Sequence, residues 1–388
     1  MRIPTVLLAL TISQLGIPGA AAQVASPSDA LEGWTLAPEP TLSLGQVEGM
    51  APDVFGGVVG AVRLSSGAIV IADEVNLAVS LFDKSGEFVT KIGRRGAAPG
   101  EFELIKSIWR CGDDSVHVFD PALSRLTVLN EGGRVGPTID VLGLLATRLP
   151  PTWFRCGADG TLAFIERPPP SPPGPIGPHR PHVPISIVKE GALTRLGEFA
   201  GSERYFLGQI DGPRPLGKTT EIAVGPEVVY VGTADAFELL RFSHTGQQLQ
   251  PLRYRVPRVP VSSEHVDTYV EGRVAERHSS ETATARRFYT ELEYPSVLPA
   301  HGKMLIGSDG YLWVQEYWAP GATEQKWHIF APGERGDVRA VLTMRSELEV
   351  LDAGPDYVLV AERDALDVPR VLLYPLIKNQ TPGPDRPD

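Results

Sequence analysis

The sequence predicts an all-β fold, a six-bladed β-propeller with a helical insertion between blades four and five. Three observations carry that expectation. The stretch Ser66-Gly67-Ala68-Ile69-Val70-Ile71-Ala72-Asp73 reads as turn, apolar strand and acidic stop. It continues through Asn76 to a second strand and the turn Asp83-Lys84-Ser85-Gly86, the pattern of an antiparallel meander. Copies of this sentence recur, and their stop positions are Asp73, Asp120, Glu166, Thr233, Glu316 and Glu362, spaced by 47, 46, 67, 83 and 46 residues. A period in the forties made of four short strands is that of a propeller blade, and the two long steps are the same period plus an insertion. Finally, 40 glycines and 36 prolines beside 13 Phe, 10 Tyr and 6 Trp suit many short strands and turns, not a helical bundle.

The chain opens with Met1-Arg2, an apolar run through Val6-Leu7-Leu8-Ala9-Leu10, and Ala20-Ala21-Ala22 before Gln23. A basic start, a short apolar core and a small-residue site predict a signal peptide over 1–22. The core is too short, and too interrupted by Gly16 and Pro18, to span a bilayer, and no later run is long enough. No Cys stands at the cleavage site, so a lipoprotein-type anchor is not expected. The mature chain is expected to be exported, periplasmic or extracellular. Loss of Arg2 takes the net charge from -11 to -12. That acidity argues against nucleic acid and anionic membrane as partners.

The propeller is expected over 23–378. Its first blade has strands at Val58-Val62, Ile69-Ala72, Ala78-Phe82 and Phe88-Ile92. The second has them around Ile108-Arg110, at Val116-Phe119 and Leu126-Leu129, and near Thr138-Val141. In the third, Leu162-Ile165 is followed by a Pro-rich insertion over 167–184, then Ile185-Val188 and Thr194-Leu196. The fourth comprises Glu221-Val224, Val228-Val231, Glu238-Phe242 and Gln250-Tyr254.

A second insertion, 261–295, carries helical periodicity. Val266, Tyr269, Val270 and Val274 recur behind Ser262 and Ser263, and Ala285, Phe288, Tyr289 and Leu292 recur again, which predicts a helical hairpin broken near His278-Ser279-Ser280. Blade five resumes with Lys303-Ile306, Leu312-Val314, Lys326-Phe330 and Ala340-Met344. Blade six shows only Leu348-Leu351, Tyr357-Val360 and Val371-Tyr374. Its missing strand has a donor in Trp34-Thr35-Leu36 and Thr41-Leu42-Ser43-Leu44, whose pairing would close the ring and remove two sheet edges. The tail, 379–388, is expected to be disordered.

The connector Ile92-Gly93-Arg94-Arg95-Gly96-Ala97-Ala98-Pro99-Gly100-Glu101-Phe102 resembles the G-x-x-G-x-G-P-G-E-F connector of secreted bacterial six-bladed propellers related to NHL repeats. The turn from Asp73 to Asn76 is similar to an NHL repeat. Ala98 stands where a glycine is usual, and later blades lack the turn asparagine. The resemblance implies a propeller and does not specify an activity.

Cys111 and Cys156 occupy equivalent places in neighbouring units, Trp109-Arg110-Cys111-Gly112 and Phe154-Arg155-Cys156-Gly157. In an oxidising compartment they form a disulfide stapling two units; the alternative is two buried thiols too far apart to bridge. The stops Asp73, Asp120, Glu166, Glu316 and Glu362 ring one rim. Their expected role is structural, each accepting hydrogen bonds from its own turn.

Both insertions fall on one face, because loops between the second and third strands of a blade share it with connectors between blades. Long loops on a rigid base build sites. Five residues are expected to contact ligand there: Glu316, Tyr317 and Trp318, with Arg286 and Arg287 on the hairpin, whose aromatic and charged groups suit a peptide, sugar or carboxylate. Among the eight histidines, His179 and His182 have suggestive spacing but no third ligand. No His-Glu-x-x-His, Gly-x-Ser-x-Gly or phosphate loop occurs.

The first reading is therefore an exported, non-catalytic binding propeller, without cofactor, presenting a loop-built face to a protein, peptide or glycan. The alternative is a calcium-dependent lactonase-like hydrolase, with metal held at the pore by Glu316 and Glu362.

Overall fold

The computed structural model describes residues 33–46, 54–112, 114–168, 174–208, 210–275, 281–333, 338–364 and 366–379. The expected signal peptide, the tail after Asn379, residues 169–173 of the Pro-rich insertion and the break at His278-Ser279-Ser280 lie outside them.

Six antiparallel sheets follow one another along the chain, each a meander. Blade one comprises Val58–Arg63, Ile69–Asp73, Ala78–Phe82 and Phe88–Ile92; blade two comprises Ser107–Cys111, Ser115–Asp120, Arg125–Leu129 and Val135–Asp140. Blade three is built from Trp153–Cys156, Leu162–Ile165, His182–Lys189 and Ala192–Ala200, and blade four from Glu221–Val224, Val228–Gly232, Glu238–Ser243 and Gln248–Arg253. Blade five follows with His301–Ile306, Leu312–Glu316, Glu324–Phe330 and Val338–Arg345. In blade six, Glu349–Ala353, Tyr357–Arg363 and Pro369–Asn379 are completed from the other end of the chain: Gly33–Leu36 and Leu42–Leu44 both pair with Pro369–Asn379. First strands of successive blades touch one another around the ring, and blade six returns to blade one. The chain is a six-bladed β-propeller.

Burial follows strand order. In blade one the second and third strands are buried at every position, whereas the outer strand exposes Phe88 and Val89. Six apolar clusters result, one at each junction between neighbouring blades. Sheets that are apolar on both faces can bury them only against further sheets, so the ring is the arrangement that leaves no face in water.

The connector after Ile92 has its own logic. Gly93 sits at φ 112°, and a Cβ there would lie 2.4 Å from the Leu77 carbonyl oxygen. The Arg125 guanidinium then gathers the carbonyls of Ala97, at 2.7 Å, of Ala98, at 3.0 Å, and of Glu101.

The structure departs from the sequence reading in two places. A one-turn helix, α1 (Val141–Leu145), follows blade two, capped by Asp140, and packs Val141 and Leu145 between blades two and three. The Pro-rich insertion is not simply a loop: Gly177–His179 forms a strand, and the third strand of the blade already starts at His182. That added strand pairs with Arg204–Leu207, which pairs with Ile210–Pro213, so a three-stranded sheet stands beside blades three and four. Between blades four and five lie helices α2 (Ser263–Ala275) and α3 (Thr282–Thr290), packed through Val270, Val274 and Tyr289.

Candidate functional site

The acidic stops divide into two kinds. Asp73, 3% exposed, accepts hydrogen bonds from the amides of Gly56 (2.8 Å), Gly57 (3.1 Å), Val75 (3.0 Å) and Asn76 (3.0 Å), and from the Asn76 side chain (2.7 Å). Asp120, fully buried, accepts from the amides of Glu103 (2.8 Å), Leu104 (3.3 Å) and Leu123 (3.0 Å). Each sews its own turn to the segment entering its blade. The glutamates do not repeat this. Glu166 accepts from the Ser186 hydroxyl (3.1 Å), Glu316 from His328 Nε2 (3.1 Å), and Glu362 pairs with Arg345 (3.2 Å). The hydrogen bond from His328, outweighing burial, holds the Glu316 carboxyl below the usual range. Glu316 and Glu362, the carboxylates of the calcium alternative, are thus each engaged, Glu316 within blade five and Glu362 across the junction of blades five and six. No group of three or more His, Cys, Asp or Glu able to hold a metal occurs among the described residues.

The five residues expected to contact ligand do not share a cavity. Arg286 grips Glu271 with two nitrogens and ties α3 to α2, while Arg287 pairs with Glu291 one turn along (2.9 Å). The arginine pair is therefore stitching within the hairpin, exposed on its outer side. Trp318 is 45% exposed, and its indole nitrogen donates to the Ala322 carbonyl at 3.0 Å. Tyr317 is partly buried; burial, and then Tyr269 on α2, push its hydroxyl up to about 12. His179, weighed as a metal ligand, instead stacks on Phe206 with ring centres 3.9 Å apart and pairs with Asp211 (2.9 Å).

What the insertions do enclose is a groove of about 690 Å³ between the base of the hairpin and blade four. Its walls are pinned by polar links. The Glu293 amide donates to the Tyr205 hydroxyl (3.3 Å), and Arg214 donates to the Glu293 carbonyl (3.2 Å) and to Glu203 (3.3 Å). Lys218 bonds Asp235 (2.8 Å), and Arg180 reaches both Asp235 oxygens at 2.9 and 2.8 Å. Both legs of the hairpin are joined by backbone bonds, Val261 to Ser296 (3.0 Å) and Leu298 to Val259 (2.9 Å). Phe237, Tyr254 and Tyr294 give the groove aromatic walls. Burial, with Tyr269 and Tyr289 nearby, pushes the Tyr294 hydroxyl up to about 12, so it stays a neutral donor, here to the Tyr289 carbonyl (2.8 Å). The acids Glu203, Asp235 and Glu293 neutralise Arg214 and Lys218. Arg255 and Arg258, exposed on the same groove, have no ion pair among the described residues.

A second cavity, of about 510 Å³, lies on the propeller axis and is lined by the first strands of all six blades. Charged side chains link those strands. The Arg110 guanidinium donates to the Arg63 carbonyl (2.7 Å), and Asp352 accepts from the Arg63 amide and the Tyr357 hydroxyl, both at 2.9 Å. Lys303 bonds Glu349 (3.2 Å) and the Val350 carbonyl (2.7 Å), and Arg155 stands 4.0 Å from Glu221. Burial raises the carboxyls of Glu221 and Asp352 against the pull of Arg155 and Arg110 respectively. Cys111 and Cys156 form a disulfide between the first strands of blades two and three, their Cα atoms 5.3 Å apart.

Neither cavity was visible in the sequence reading, which looked for charge at the ends of second strands. A signal existed: Arg110 and Arg155 precede the two cysteines at equivalent positions of innermost strands, where a scaffold alone calls for small or apolar side chains.

A family model described as a 6-bladed β-propeller matches residues 53–127. No curated protein matches the sequence. Among solved structures, the chain is similar to a presumed exported protein of Bacteroides fragilis (12% identity, TM-score 0.49, 92% of this chain and 98% of that one). It is also similar to a gluconolactonase of Xanthomonas campestris (13%, 0.45, 92% and 99%) and to virginiamycin B lyase of Staphylococcus aureus (11%, 0.41, 91% and 98%).

Proposed function

We propose that the chain is an exported binding propeller whose capped groove recognises an acidic peptide segment of a partner protein. One observation carries the reading: Arg255 and Arg258 stand without carboxylate partners on an aromatic-walled groove whose other cations are already neutralised. Arginine forks pair with carboxylates in two parallel hydrogen bonds, and tyrosine faces accept an extended backbone at small entropic cost. Export is supported by the basic-apolar-small pattern of the first 22 residues and by the Cys111–Cys156 disulfide, a bond that persists in oxidising compartments. The calcium-dependent hydrolase gains no support from the geometry, since Glu316 and Glu362 are engaged with His328 and Arg345.

The test is a titration of the mature protein with a labelled peptide of alternating glutamate and tyrosine. Saturable binding that weakens at least about tenfold in the Arg255→Glu/Arg258→Glu double variant, equivalent to about 1.4 kcal/mol, supports the reading. Equal binding of a lysine-tyrosine peptide, or no effect of the double variant, contradicts it.

A further inference from the structure

A charge on the innermost strand of a propeller is costly unless it is paired, because it is withdrawn from water on several sides. Most charges around the axial cavity meet that demand as links between blades: Arg110 to Arg63, Asp352 to Arg63 and Tyr357, Lys303 to Glu349 and Val350. Two cations are left under-used. Lys106, exposed at the mouth on the insertion face, has no ion pair among the described residues; its ammonium lies 5.6 Å from the centre of the Trp153 ring. Arg155 lies over the same ring at 5.1 Å and over Trp109 at 5.7 Å. Its guanidinium carries five donors, of which one meets the Phe154 carbonyl at 2.9 Å, and Glu221 at 4.0 Å is beyond hydrogen-bond reach.

From this geometry we infer a small-molecule site in the axial cavity: a monocarboxylate with a planar or apolar body, its carboxylate taken by Lys106 and Arg155 and its body laid against Trp153. The cavity volume, about 510 Å³, is that of a small-ligand pocket. Apolar wall is supplied by Val58, Ile108 and Leu351. Glu74 lines the same cavity and has no ion pair among the described residues, so a second carboxylate on the ligand is repelled. The site is independent of the peptide groove and shares no residue with it.

Calorimetric titration of the mature protein with benzoate, and with its neutral isostere benzamide, tests the inference. The expected result is saturable one-to-one binding of benzoate and none of benzamide. Lys106→Glu, at an exposed position, is expected to weaken benzoate at least about tenfold with the thermal midpoint unchanged, while Arg258→Glu leaves it unaltered. Binding of benzamide equal to that of benzoate, absence of benzoate binding, or indifference to Lys106→Glu overturns the site.

Discussion

Asp73 and Glu362 occupy the same position in the repeat, and the structure gives them different work. The short aspartate folds back onto its own turn and collects five hydrogen bonds; the glutamate, one methylene longer, reaches sideways to Arg345. Asp73→Ala leaves several buried amides without an acceptor and is expected to cost about 2–4 kcal/mol in urea unfolding. Glu362→Gln, which loses one partly exposed ion pair, is expected to cost about 0–1 kcal/mol. Side-chain length decided this difference, and an alignment of acidic stops could not show which way each chain turns. Asp159 adds a pH term. Burial opposes its charge, but hydrogen bonds from Lys189 and from the Thr161 amide and hydroxyl, with His244 beside it, bring its carboxyl down to about 2. Because the folded value lies below the ordinary 3.8, the stabilisation is present above about pH 4 and is lost as pH falls towards 2. The stability gap between the native chain and Asp159→Asn, on the order of 1 kcal/mol after solvent screening, is therefore expected to narrow between pH 5 and about 2, measured by urea unfolding.

At the scale of elements, the blades and the helical hairpin announce themselves, whereas the added strands and α1 do not. Second and third strands such as Ile69–Asp73 and Ala78–Phe82 are buried on both faces, so their apolar runs are unbroken and the period is plain. Gly177–His179 holds Pro178, and the stretch 204–213 is interrupted by Gly208 and Gly212; each strand is only three or four residues long, too short for an alternating pattern to register. Helix α1 is a single turn and too short for periodicity to register. Ring closure rests on identifiable contacts. Trp34, 3% exposed, packs beside Trp313 and Tyr311 under the Lys378 ammonium, 4.0 Å from its ring. Trp34→Ala is expected to cost about 3–5 kcal/mol, read from the denaturation midpoint. The Cys111–Cys156 bond spans 45 residues, and the Cys111→Ser/Cys156→Ser variant is expected to lose about 2–4 kcal/mol.

For the whole molecule, six-fold repetition was legible because each sheet buries both faces against its neighbours, a demand that stamps every copy of the sequence. The proposed recognition surface was less so. Arg286 and Arg287, conspicuous on a helical face, are consumed by Glu271 and Glu291, whereas Arg255 and Arg258 lie in an unremarkable connector, Tyr254-Arg255-Val256-Pro257-Arg258. Only the tertiary placement of three acids, Glu203, Asp235 and Glu293, distinguishes neutralised cations from free ones. The net charge of -11 conceals this local excess of positive charge, which at low ionic strength is expected to speed capture of an acidic partner. Hydrogen exchange of the mature protein with and without the glutamate-tyrosine peptide tests the central claim most directly. Protection confined to residues 254–258 and 293–298 is the expected result; protection elsewhere on the ring, or none at saturating peptide, contradicts the groove as the binding site.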